Sequence, residues 1–173
     1  VTDLTCERDG KRFLDGVSFR LYNGMTYGVS GAGAADLLAV LAGVFPYCAG
    51  EVNLNGFDLL SEPLRARRDG GYLPPVESLP ADLTAFELLS SVAALRGIGE
   101  PKRTRTVNEW LERANLEGLG DRDVGQLSAA QKRRLGLAQA AIGDTARLLL
   151  TDPFAGLEEP DAREVRELLE LIR

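Results

Sequence analysis

Histidine is missing from this sequence altogether, and cysteine occurs only twice, as Cys6 and Cys48, with no CxxC pair. These gaps exclude a histidine-based catalytic triad and leave too few soft ligands for a structural zinc site. Free thiols in a reducing compartment are expected. Basic residues are outnumbered, 20 against 26 acidic, and the net charge of -6 argues against a general nucleic-acid or anionic-membrane binder. Two local basic runs remain, Arg65-Ala66-Arg67-Arg68 and Lys132-Arg133-Arg134. Each reads first as a solvated helix face and second as a binding patch. The longest apolar stretch, Leu37 to Tyr47, falls far short of the ~20 residues a membrane span needs. No charged-then-apolar signal segment opens the chain. The expectation is a cytoplasmic protein, with any membrane association coming through a partner.

What is present suffices for one core, or one core with a helical insertion: 173 residues, 45% hydrophobic and 27% charged. Thr2 to Cys6 and Gly16 to Leu21 alternate like strands. Gly24 to Val29 reads as a short buried strand entering a glycine-rich turn. Ala34 to Val44 carries apolar residues on a helical period, closed by Gly43 and Pro46. Glu51 to Gly56 reads as an outer strand ending in an Asn-Gly turn. Gly71-Tyr72-Leu73 is another strand, stopped by Pro74-Pro75. The middle is helical: Leu83 to Leu95, with Asp82 and Thr84 as candidate caps, then Thr106 to Ala114 and Ser128 to Ile142. Arg147 to Thr151 returns to strand, and Pro160 to Arg173 forms a last charged, amphipathic helix. Strands at both ends around a helical middle predict an α/β core carrying a helical insertion.

Gly28-Val29-Ser30-Gly31-Ala32-Gly33 lies between predicted strand and helix, where backbone amides and a helix N-terminus form a phosphate cradle. Gly28 and Gly33 match the two glycines of the P-loop form G-x-x-x-x-G-K-[ST]. Ala34 stands at the lysine position, Ala35 at the Ser/Thr position, and Asp36 follows. Lysine would contact the β- and γ-phosphates, and the hydroxyl would hold Mg²⁺. Opposite unit charges ~4 Å apart interact by about 4 kcal/mol at an effective dielectric near 20, so losing the lysine weakens ATP by several powers of ten. Asp36 adds to this, because a carboxylate in the first helical turn satisfies the dipole a phosphate would use. The plainer alternative is a tight turn that only packs helix against strand.

Downstream segments make the glycine pattern specific. Leu127-Ser128-Ala129-Ala130-Gln131, continuing to Ala140, resembles the ABC signature helix that begins LSGGQ. Leu148-Leu149-Leu150-Thr151-Asp152-Pro153, continuing to Glu158, resembles Walker B with its D-loop. Gly71-Tyr72-Leu73-Pro74-Pro75 resembles GYLPQ at the Q-loop, and Leu4-Thr5 through Phe19 resembles the family's opening strands. The chain thus resembles the ATP-binding subunit of ABC transporters, over essentially its whole length and in the family's order. From Q-loop to signature it is most similar to ATPases of ABC-2-type exporters, including the gliding-motility type. The resemblance implies an α/β P-loop NTPase fold: a parallel core sheet, an antiparallel β-subdomain and an inserted helical subdomain. Residues 1–75 and 144–173 would form the core with its β-subdomain, and 76–143 the helical subdomain ending in the signature helix. The implied partners are another nucleotide-binding subunit, in a homo- or heterodimer, and a membrane permease. Two such subunits would sandwich two ATPs, each P-loop facing the partner's signature. The chain stops at Arg173, before the family's switch histidine and further strands. A C-terminally incomplete domain is therefore expected, unless a partner covers the gap.

The departures from the family pattern fall on the chemistry. Thr151 stands at the Walker B aspartate and offers Mg²⁺ no hard anionic ligand. Asp152, one methylene short of the catalytic glutamate, is the weak candidate for the catalytic carboxylate. In a register shifted by one it becomes the Walker B aspartate, and Pro153 then replaces the base. Pro75 replaces the Q-loop glutamine, removing both its amide and a backbone donor. Ala129 and Ala130 replace two signature glycines, while Ser128 stays available for a phosphate. Arg8 aligns with the aromatic that would stack on adenine, and arginine also stacks. The nucleotide-binding set is accordingly Gly28, Ser30, Gly31, Ala32, Gly33, Ala34, Ala35, Asp36 and Arg8, with ATP held weakly and Mg²⁺ without a dedicated anchor. The leading expectation is a degenerate, catalytically impaired subunit with a structural or regulatory role in an export complex. The alternatives are a conventional ABC-type ATPase working through Asp152, and a non-transport scaffold with the same fold.

Overall fold

The computed structural model describes residues 1–8, 10–143 and 145–172. Two compact units emerge, Val1–Gly70 and Gly71–Arg173.

The first unit opens on a hairpin of β1 (Thr2–Arg8) and β2 (Lys11–Val17), with β3 (Ala49–Glu51) on the far side of β1 and both pairings antiparallel. Leu4 and Cys6 alternate inward and are fully buried. Arg8 pairs with Lys11, so the connection is the dipeptide Asp9-Gly10, a strong two-residue hairpin signal; Asp9 itself lies outside the described residues. That signal moves the second strand to residues 11–17, correcting the expected 16–21. The expected strand over 24–29 is also absent. Residues 20–32 are exposed throughout, with Met25 69% and Val29 45% accessible. Within the segment the Tyr22 amide donates to the Tyr27 hydroxyl at 3.1 Å. A strand needs a ladder partner for its backbone groups, and exposure to solvent leaves this segment without that requirement.

Helix α1 (Ala34–Leu41) buries Leu37, Val40 and Leu41 and ends at Ala42 before Gly43. Strands β4 (Asn53–Leu54) and β5 (Phe57–Asp58) form a second hairpin over Asn55-Gly56, both at positive φ as that turn requires. A short helix that the sequence reading missed, α2 (Pro63–Arg67), starts with proline at its first turn. Its arginines are engaged locally. Arg65 pairs with Glu62 at 2.6 Å and lies over Phe57, and Arg67 donates to the Gly43 carbonyl.

In the second unit β6 (Gly70–Leu73) and β7 (Arg147–Leu150) pair in parallel. Helices α3 (Ala85–Leu95), α4 (Lys102–Arg113), α5 (Ala129–Ala141) and α6 (Glu159–Ile172) close a core around Leu89, Val107, Leu116, Leu135, Leu137 and Ile142. Thr84 caps α3 in a capping box with Glu87. Helix α5 is buried nearly all round, the mark of a central helix. This corrects the reading of Lys132-Arg133-Arg134 as a solvated face: Arg133 and Arg134 are each only 7% accessible, and Arg134 pairs with Glu164 of α6. On α6, Leu168 is buried and Leu171 exposed; Arg173 lies outside the described residues. Both cysteines are free thiols. Among the described residues no helix is long and apolar enough to cross a membrane.

Candidate functional site

The sequence-predicted residues fall into two groups, one in each unit. In the first unit, Gly28, Ser30, Gly31 and Ala32 lie on the exposed segment that leads into α1. Gly33 is the N-terminal cap residue of α1, left-handed at φ 84°. A Cβ added there would stand 2.8 Å from the Phe13 carbonyl oxygen and 3.1 Å from a Leu14 methyl. Backbone conformation and the approach of β2 therefore both require glycine at this position. At Gly28 and Gly31 nothing lies within 4 Å of such a Cβ. The turn uses part of its own donor supply: the Ala34 amide donates to the Gly31 carbonyl at 3.2 Å, and the Leu37 amide to Gly33 at 2.8 Å.

Asp36 stands in the first turn of α1, where a carboxylate complements the helix dipole. Its partner is Arg8, whose Nη2 lies 3.0 Å from the Asp36 carboxylate. The same guanidinium lies over the Phe45 ring at 4.4 Å and the Phe13 ring at 5.3 Å, and the two rings meet edge to face at 5.7 Å. Arg8 does stack, on the protein's own aromatics. Ala34 is half-buried and Ala35 exposed, and neither side chain carries a polar atom for a ligand.

In the second unit the signature residues open α5. The Ser128 hydroxyl accepts from the Gln131 amide at 3.2 Å, and the Gln131 side chain accepts from the Ser128 amide at 2.9 Å. This capping box commits both polar side chains to the helix start. Leu127 and Ala130 are buried and Ala129 is exposed. Pro75 is exposed, and its carbonyl accepts from the Ser78 amide and hydroxyl.

Thr151 follows β7 and is 7% accessible, and its hydroxyl finds no hydrogen-bond partner among the described residues. Asp152 is exposed at a positive φ of 42° and heads a turn closed by the Ala155 amide. Sequence reading assigned no site role to Arg133. Its guanidinium donates to the Thr151 and Ala155 carbonyls, each at 3.4 Å, and so ties α5 to the turn that carries Asp152. The signal was the apolar residues on every side of α5, which leave a mid-helix arginine no route to water. Among the described residues no group of three or more His, Cys, Asp or Glu is placed to hold a metal. An open cavity of about 510 Å³ is lined by Phe86, Asn108, Leu111, Glu112, Glu117 and Asp121, among others, and by none of the predicted residues.

Comparison with known proteins follows the same lines. The family profile described as "ABC transporter" matches residues 14–155. The chain is 36% identical over 160 residues to the Nod factor export ATP-binding protein I of Burkholderia thailandensis, covering 91% of this chain and 52% of that protein. It is 29% identical over 170 residues to the lipopolysaccharide export system ATP-binding protein LptB of Escherichia coli K12, covering 95% of this chain and 70% of that one. The chain thus spans about half the length of the Nod factor export relatives. Among solved structures, an ATP binding subunit of an ABC transporter superposes with a TM-score of 0.81 at 23% identity, over 99% of this chain and 72% of that one. A dimeric post-hydrolysis state of an ATP-binding cassette with ADP and Pi reaches 0.84 at 22% identity, over 98% and 80%. At these identities the structures establish the fold, an α/β ATP-binding-cassette architecture.

Proposed function

The chain belongs to the ABC transporter family, and on that premise we propose that it is the ATP-binding-type subunit of an export system, impaired in its own nucleotide chemistry. Its part is structural or regulatory. It works at the membrane surface through a permease and beside a second nucleotide-binding subunit, in a homo- or heterodimer. Support for export comes from the relatives, ATP-binding proteins of Nod factor export and of lipopolysaccharide export.

Support for impairment comes from one observation above all: where the family form places a lysine and a hydroxyl, the side chains of Ala34 and Ala35 offer neither a cation nor a hydroxyl, and the adjoining Asp36 is paired with Arg8. A triphosphate needs cations, and Mg²⁺ needs oxygen ligands of which at least some are anionic. In this reading the donors present suit neither. At position 151 a neutral hydroxyl is buried, and its own carbonyl already faces the Arg133 guanidinium.

Phosphate release from Mg-ATP by the purified chain tests the proposal. The expected rate equals the buffer background and is unchanged by Asp152→Asn. Steady turnover abolished by Asp152→Asn would establish a working, if slow, ATPase instead.

A further inference from the structure

In the first unit the loop that leads into α1 has a charged partner of its own. Arg8, on β1, crosses to the first turn of α1 and pairs with Asp36 at 3.0 Å, while Phe13 of β2 and Phe45 beyond α1 flank its guanidinium. Four side chains from β1, β2, α1 and the segment after it therefore converge where Gly33 packs on the Phe13 carbonyl. A guanidinium resting on two aromatic rings is held in plane before it pairs, so less freedom is lost on forming the contact. A carboxylate in the first helical turn gains from the dipole as well as from its cation. Each contribution is modest at this exposure, with side chains 52% and 34% accessible. They act on one short stretch, however, and all require the same geometry.

We propose that Arg8 and Asp36, braced on Phe13 and Phe45, form an internal clasp that orders residues 31–37 in place of a bound phosphate. The inference rests on the proposed reading of this loop as a lapsed nucleotide site and adds what replaced the ligand. The loop is thereby held in one arrangement without nucleotide, and the dipole and cation that a phosphate would use are already satisfied.

Amide hydrogen exchange of residues 31–37 tests it, on the full chain and without nucleotide. Arg8→Ala and the near-isosteric Asp36→Asn should each speed exchange about five- to tenfold, the range expected for an ion pair with its cation–π support. The double variant should exchange less than twofold faster than either single one. Arg8→Lys, which keeps charge but loses the planar stack, should fall between. Circular dichroism confirms that each variant is folded, and Asp36→Asn serves as the second probe should Arg8→Ala lose its fold. Unchanged exchange in the single variants, or effects that multiply in the double, would overturn the clasp and leave the reading of the nucleotide site untouched. Slowed exchange at 31–37 in the unaltered chain on adding Mg-ATP would overturn that reading, and the substitution of clasp for phosphate with it.

Discussion

The two units keep their motif residues for different reasons. In the second unit, the signature residues Ser128 and Gln131 form a capping box, and Leu127 is buried. In the first, most of the glycine loop is exposed, and only Gly33 is fixed by packing and backbone conformation. Measured against the family's motif form, Gly33, Leu127, Ser128 and Gln131 retain their residue type, and each has a task in the fold. Positions 34, 35, 75 and 151, which on the proposed function would serve a ligand, do not. On the proposed function, the difference teaches that motif residues with two tasks outlast the loss of one of them.

That comparison can be broken at several places. The largest effect belongs to the second unit's core. Leu135→Ala removes a fully buried side chain from the central helix and should cost about 2–5 kcal/mol in chemical denaturation. In the first unit, Gly33→Ala forces a Cβ into a left-handed position 2.8 Å from the Phe13 oxygen and should cost about 1–3 kcal/mol. A neutral outcome there would return Gly33 to the class of residues that serve only a ligand. Ser128→Ala removes the cap hydroxyl of α5 and should cost about 1 kcal/mol, whether or not any nucleotide is present. Smallest of all, Ala35→Ser at an exposed position should change stability by less than about 0.5 kcal/mol. A large loss would mean that the alanine has a packing task.

Much of this was legible in the sequence, because helices and turns announce themselves locally. The Thr84 cap, the Asn55-Gly56 turn and the Pro74-Pro75 stop all follow from side-chain chemistry within a few residues. The strand expected over 24–29 failed because a strand depends on a partner far along the chain, which local apolar content does not reveal. Arg133 and Arg134 were misread because a run of three basic residues looks solvated until α5 proves buried on nearly every side. The Arg8–Asp36 pair was out of reach for the same reason: 28 residues separate its members, and only the packing of β1 beside α1 brings them together.

Calorimetric titration of the purified chain with ATP, with and without Mg²⁺, tests the central claim most directly. The account predicts no saturable heat at micromolar nucleotide and no change on adding magnesium. Micromolar affinity that strengthens with magnesium would contradict it, since that requires a cation and a metal anchor that Ala34, Ala35 and Thr151 do not supply.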